Sequence, residues 1–221
     1  MTKLLLICGI LSSLLYLLMN IFVPMQFAGY SLSSQTVSEL SAIDAPTRSL
    51  WVSLAIVYIL LVATFGWGVS KSAEGNRSLR IVGRLILVYV IINFYWPPMH
   101  LRGNKPTLTD TLHIAWAVMT LLLMMLIMWF GAAALGKYFR LYTLATFVVF
   151  ITFGIFIGTE APGIPKNIPT PRIGIWERIN IGAYMLWVIV FAIALLRKHK
   201  FETIENMKRA RQFYHKIKTP E

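Results

Sequence analysis

The chain has 221 residues, of which 57% are hydrophobic and 14% charged, and its mean hydropathy is +0.66. A soluble domain has about 25% charged residues, so the composition excludes an ordinary water-soluble fold. The formal net charge of +12 raises the question of nucleic-acid binding, but membrane proteins commonly carry such an excess in their cytoplasmic segments.

Six apolar runs predict six transmembrane helices, at 4–24, 50–70, 79–96, 109–135, 141–159 and 175–196. Each is close to the roughly 20 residues that cross a bilayer. The sequence therefore predicts an all-α polytopic membrane protein, with a six-helix domain over residues 1–196 and a basic tail over 197–221. Cys8 is the only cysteine, which excludes an internal disulfide and a structural zinc site built on cysteines. We expect the first helix to be retained rather than cleaved as a signal.

The positive charges predict the orientation. Fifteen of the 21 Lys and Arg residues fall on the side that holds both termini, and six fall on the other side. By the positive-inside rule both termini are cytoplasmic, which indicates the cell inner (plasma) membrane and removes the reason to expect nucleic acid. The tail places Phe201, Ile204, Met207 and Tyr214 near one helical stripe. It is either an amphipathic helix on the anionic inner leaflet or a solvated tail.

Polar and ionisable side chains gather toward the predicted outer end of the helices. No Asp, Glu, Lys, Arg or His falls at the centre of a helix, whereas proton pumps and ion-coupled carriers usually place such groups near the midplane. We predict an outward-opening polar pocket, roofed by the connections 25–49, 97–108 and 160–174. Its candidate residues are Asn20, Glu39, Asn93, His100, Asp110, His113, Glu160, Glu177, Arg178 and Asn180.

Three of these residues are candidate metal ligands. Asp110 and His113 are three apart in "TDTLH", a spacing that places two side chains on one face of a helix. His100 lies at similar depth beyond the corner formed by Pro97 and Pro98. The three could hold Zn²⁺ or another divalent ion with a position open to water. The two histidines are alternatively axial ligands of a haem.

Capping offers a structural explanation for two of the acids. "TLTD" over 107–110 and "TVSE" over 36–39 both fit the capping box, in which an acidic side chain satisfies free amide groups at a helix start. On this interpretation Asp110 only begins a transmembrane helix. Glu39 begins a short interfacial helix that stops near residues 44–46.

Three segments together resemble a known family. "SELSAIDAP" after the first helix, the histidine-bearing connection before the fourth, and "GIWERI" opening the sixth resemble the bacterial six-helix membrane family known as domain of unknown function 998. The resemblance covers nearly the whole chain and implies a six-helix fold and a membrane location, but no reaction. The family-like positions that it suggests are Ser38, Glu39, Pro46, His100, His113, Glu177 and Arg178.

A weaker likeness is to membrane hydrolases of the ceramidase and progestin-receptor type, whose seven-helix zinc site uses three His, an Asp and a Ser. Part of that set is matched by Ser38, His100, Asp110 and His113, but this chain has six helices and no HxxxH in the last. Our leading hypothesis is a membrane protein whose outer pocket binds a lipid headgroup or small amphiphile. A metal-dependent hydrolase acting on lipid is the alternative, a small-solute carrier is third, and enzymatic activity is left open.

Overall fold

The computed structural model describes residues 2–218, with side chains described for residues 2–200. Six long helices follow one another: α1 (Thr2–Phe22), α2 (Arg48–Lys71), α3 (Arg77–Phe94), α4 (Leu108–Ala134), α5 (Lys137–Glu160) and α6 (Ile173–Lys218). Short 3-10 helices lie at Pro24–Gln26, Val37–Ser41 and Ala161–Gly163. The prediction of an all-α fold with six long helices is confirmed.

Five of the long helices are long and apolar enough to cross a membrane, namely α1, α2, α4, α5 and α6. Together they indicate a multi-pass membrane protein. The exception, α3, has 18 residues and is about 27 Å long. It carries Arg77, Arg80 and Arg84 in its first half, where long side chains can extend toward the membrane surface.

Two helices extend further than the apolar runs predicted. Helix α5 begins at Lys137 instead of 141, because Gly136 is its N-cap and only Leu135 and Gly136 separate it from α4. Helix α6 continues across the predicted boundary at 196/197 as far as Lys218. The apolar stripe predicted for the tail depends on side chains from residue 201 onward, which lie outside the side chains that the structure describes.

The helices form a ring with one loose seam. Helix α1 packs against both α2 and α6, and α2–α3, α3–α4 and α5–α6 are also closely packed pairs, whereas α4 and α5 touch little. The α1–α6 contact therefore closes the bundle. The weak contact leaves a seam between α4 and α5.

Large side chains fill the interior of the ring. Trp187 and Phe191 of α6 are fully buried and stack with ring centroids 4.9 Å apart. The Trp187 indole Nε1 donates to Thr143 Oγ1 at 2.9 Å, which pairs its only donor inside the bundle. A Cβ at Gly131 would lie 2.7 Å from the Trp187 ring, so α4 can approach this ring only because position 131 has no side chain.

Candidate functional site

The connections 23–47, 95–107 and 161–172 close one end of the bundle, and we call this part of the molecule the cap. At its centre Glu39 is completely buried and pairs with Arg102. Arg102 Nε donates to Glu39 Oε1 at 2.7 Å, and Nη2 donates to Oε2 at 3.1 Å. This two-pronged geometry matches the planar guanidinium to the carboxylate.

Arg102 also joins the three connections of the cap. Its Nη1 donates to Thr170 Oγ1 at 2.6 Å, and its Nη2 donates to the Ser34 carbonyl oxygen at 2.7 Å. The Thr170 hydroxyl in turn donates to the same Ser34 carbonyl at 3.0 Å. One side chain therefore ties the segment before α4 to those before α2 and α6.

The capping box predicted at 36–39 is confirmed. The Thr36 amide donates to Glu39 Oε2 at 2.7 Å, and the turn that follows is the 3-10 helix Val37–Ser41. Glu177, in the first turns of α6, extends this arrangement because its Oε2 accepts from the Val37 amide at 2.6 Å. We call the 3-10 helix Val37–Ser41 the cap helix. Its start is held by two carboxylates, that of Glu39 and that of Glu177 from α6.

Arg178 anchors α6 to the other side of the same segment. Its Nη1 donates to the Leu32 carbonyl at 3.0 Å, and its Nη2 donates to the Tyr30 hydroxyl at 2.8 Å. The guanidinium carbon lies 5.6 Å from the centroid of the Tyr30 ring, within cation–π range. Burial raises the pKa of Tyr30 to about 12, although Arg178 opposes that shift. Tyr30 stays neutral and donates to the Thr36 carbonyl at 2.6 Å.

His100 of the cap and Asp110 of α4 form a second, half-buried pair. The His100 amide donates to Asp110 Oδ1 at 2.7 Å, and His100 Nδ1 lies 3.0 Å from Oδ2. The capping box predicted at 107–110 is also confirmed, since the Thr107 amide donates to Asp110 Oδ2 at 2.8 Å. Asp110 therefore both begins α4 and orients the imidazole of His100.

The predicted metal site is not supported. His113 places its Nδ1 2.7 Å from the Pro97 carbonyl oxygen instead of beside the other pair. Within the described part of the chain, no three His, Cys, Asp or Glu residues are grouped so that they could hold a metal ion. Helical spacing placed Asp110 and His113 on adjacent turns, but the backbone carbonyl at Pro97 competes for the imidazole. Haem ligation stays an untested prediction.

The remaining candidates bond to backbone groups instead of to one another. The amide nitrogens donate to carbonyl oxygens, Asn20 to Tyr16 at 2.9 Å, Asn93 to Tyr89 at 2.9 Å and Asn180 to Phe150 at 3.3 Å. Glu160 Oε2 accepts from the Arg172 amide at 3.2 Å. The structure thus brings Glu39, Glu177 and Arg178 together in the cap and His100 together with Asp110. Ligand binding by the ten predicted residues stays a prediction.

The cap packs onto α1 and α2 through an apolar cluster. Val37 and Leu40 of the cap helix are buried against Met19, Val23 and Trp51. On the outer surface of α1 and α2 lies a groove of about 300 Å³, which Met19 and Val23 line together with Leu15, Leu18, Phe22, Gln26, Leu50 and Leu54. The apolar cluster under the cap and the groove therefore share Met19 and Val23.

Arg102 is the residue that the sequence did not single out. In isolation an arginine in a polar connection has the pattern of a solvated charge, and its partner Glu39 lies 63 positions away. The local signal was the capping box, which identified Glu39 as structured. Nothing local pointed to Thr170 or Ser34 as further partners.

Comparison with known proteins agrees with the resemblance seen in the motifs. No curated protein and no solved structure matches the chain. The sequence profile of one family, described as "Protein of unknown function (DUF998)", matches residues 10–194. That stretch covers most of the chain and includes all the cap contacts described above, and the chain therefore belongs to the DUF998 family.

Proposed function

We propose that the protein binds a membrane lipid or a similar amphiphile, with one acyl chain in the groove between α1 and α2 and the headgroup at the cap end. The observation that carries this proposal is the groove itself. Its volume of about 300 Å³ is at the lower end of the range for ligand pockets, about 300–1,000 Å³.

The chemistry of the groove suits an acyl chain. Seven of its eight lining residues are apolar, and the exception is Gln26. The groove lies within two candidate membrane spans, Thr2–Gln26 and Arg48–Lys71, and its rims are exposed at Leu18 and Phe22. Because these rims face hydrocarbon, a chain can enter sideways from the bilayer without crossing water.

Arg48 supplies a charge for a phosphate headgroup. It is the first residue of α2, two positions before the groove residue Leu50. Its Nη1 donates to the Ser41 carbonyl at 2.6 Å, which fixes the guanidinium against the cap. A guanidinium has five N–H donors, and its planar fork suits phosphate oxygens.

The cap would hold the groove in shape. The ion pair between Glu39 and Arg102 fixes the helix Val37–Ser41, and Val37 and Leu40 pack behind Met19 and Val23. The predicted pocket residues Glu39, Glu177 and Arg178 would then act on the ligand indirectly, by positioning the inner wall of its site.

The orientation predicted from charge belongs to the same proposal. The cap faces the outside of the plasma (inner) membrane, and both termini, with the basic tail beside the anionic inner leaflet, lie in the cytoplasm. Support comes from the distribution of Lys and Arg. Lipid would therefore be bound from the outer leaflet.

Filling the groove tests the function. Leu18→Trp and Leu54→Trp place bulky rings in it, and we expect gently extracted protein to lose co-purifying phospholipid in native mass spectrometry. Leu186→Trp is the matched control, because Leu186 is 53% exposed on α6 and does not line the groove. Equal lipid retention by all three variants and the unmodified protein would remove the proposal.

A further inference from the structure

A small cavity lies within the bundle, near the middle of α1 and α2 and away from the groove and the cap. Its volume of about 20 Å³ exceeds the roughly 10–15 Å³ that one water molecule needs. Most of its wall is apolar, but residues that carry hydroxyl groups also line it from four helices. They are Ser12 and Ser13 of α1, Tyr58 of α2, Tyr89 of α3 and Tyr184 of α6. All five residues are less than 10% exposed.

The hydroxyl hydrogens around the cavity are not all used. Ser12 and Ser13 both donate to the Gly9 carbonyl, at 3.0 and 2.9 Å, so their oxygens remain acceptors. The Tyr58 and Tyr89 hydroxyls lie 3.3 Å apart, and their bond uses one of their two hydrogens. Among the described residues, no partner is found for the Tyr184 hydroxyl.

The cavity therefore offers two tyrosine hydrogens and two serine acceptors. A water molecule accepts two hydrogen bonds and donates two, so a single one matches this inventory. We propose that the cavity is a binding site for one ordered water molecule, which joins the tyrosine hydroxyls of α2 or α3 and α6 to the serine hydroxyls of α1.

Such a water would link helices at a depth where no other solvent is at hand. Unpaired polar groups inside a bilayer cost several kcal/mol, and hydrogen bonds between helices help to hold membrane bundles together. The site would connect α1 and α6, the pair that closes the ring, with α2 and α3. It is independent of the lipid proposal, since no residue lines both cavities.

A double-mutant cycle between Ser13→Ala and Tyr184→Phe tests the site. The two side chains make no direct hydrogen bond in the described structure, and coupling between them is the result that a bridging molecule would produce. We expect each single variant to lower the thermal midpoint of the purified protein by about 2–4 °C. The double variant should fall no further than the worse single variant.

Tyr142→Phe combined with Ser13→Ala is the control cycle, because the half-buried Tyr142 does not line the cavity. In this control the falls in thermal midpoint of the two single variants should add. Additive losses for Ser13 and Tyr184 would overturn the proposal. The same cycle with Ser12→Ala replaces the first if the Ser13 variant does not fold. A crystal structure that resolves ordered solvent should show one density peak about 3 Å from the Tyr184 hydroxyl. A map that resolves other buried waters but no such peak would also overturn the proposal.

Discussion

The pair of Glu39 and Arg102 shows how one buried ion pair can hold three connections in place. The Glu39 side chain is fully buried, whereas that of Arg102 is 19% exposed, so the carboxylate depends on protein partners for nearly all its solvation. Those partners are Arg102, the Thr36 amide and hydroxyl, and the Gln35 side-chain amide, which donates to Glu39 Oε1 at 3.4 Å. Removing one partner of a buried pair costs more than the pair contributes, because the other charge stays desolvated.

We expect Arg102→Met to destabilise the protein by about 3–5 kcal/mol, measured by denaturant or thermal unfolding in detergent. Lys166→Met is the matched control, since Lys166 is an exposed cation of the cap and should change stability by less than about 0.5 kcal/mol. Adding Glu39→Gln to Arg102→Met should restore part of the loss, because the uncompensated charge is gone. A loss no larger than that of the control would show that the pair does not hold the cap.

The helices themselves follow closely from the apolar runs. Their predicted starts lie within about four residues of those observed in α1 to α6, because an apolar stretch long enough to span a bilayer must pair its backbone internally. The exact ends follow local caps. Asn76 accepts from the Leu79 amide at 3.0 Å at the start of α3, and the box at 107–110 begins α4.

Contacts between helices depend on small residues that the apolar runs do not reveal. At Gly83 of α3, an added Cβ would lie 2.7 Å from the Ser70 backbone nitrogen of α2. At Gly182 of α6, an added Cβ would meet nothing within 4 Å. Both glycines lie inside helices, so the same substitution at the two positions separates helix propensity from packing.

Gly83→Ala should destabilise the protein by about 1–3 kcal/mol through overpacking. Gly182→Ala should be neutral or stabilising by up to about 1 kcal/mol, since alanine is the better helix former. Unfolding of both variants in the same detergent checks this. Two equal shifts would mean that α2 and α3 are not in the close contact described.

The ring as a whole is closed by α1 and α6 and is loose between α4 and α5. That arrangement places the first and last helices side by side, with the cap on one end of the ring and the termini on the other. The orientation of the ring in the membrane stays a prediction, which depends on charge alone. It is tested independently of any ligand.

Cysteine labelling of intact cells should report that orientation. In a Cys8→Ser background, Lys105→Cys in the cap should react with a membrane-impermeant maleimide, and Lys71→Cys at the end of α2 should react only after permeabilisation. Both lysines are exposed on the surface of the protein. The side of the membrane on which each lies, and not burial inside the fold, therefore decides which cysteine reacts. The reverse pattern would place the cap in the cytoplasm and contradict the charge-based prediction.

Sequence by itself determined the number of long helices, most of their ends, the two capping boxes and the family. Each of these depends on residues that are neighbours in the chain, where spacing and hydropathy carry the information. The apolar runs also contain three tyrosines that the structure buries in the core, Tyr58, Tyr89 and Tyr184.

Tertiary structure alone decided which polar groups meet. Glu39 and Arg102 are 63 positions apart and Val37 and Glu177 are 140 apart, and no local pattern encodes such pairings. It also gave His113 the Pro97 carbonyl oxygen as its hydrogen-bond partner, although spacing had grouped it with His100 and Asp110. The reason is that hydrogen-bond partners are chosen by distance in space, and in this bundle that distance is set by how the helices close into a ring.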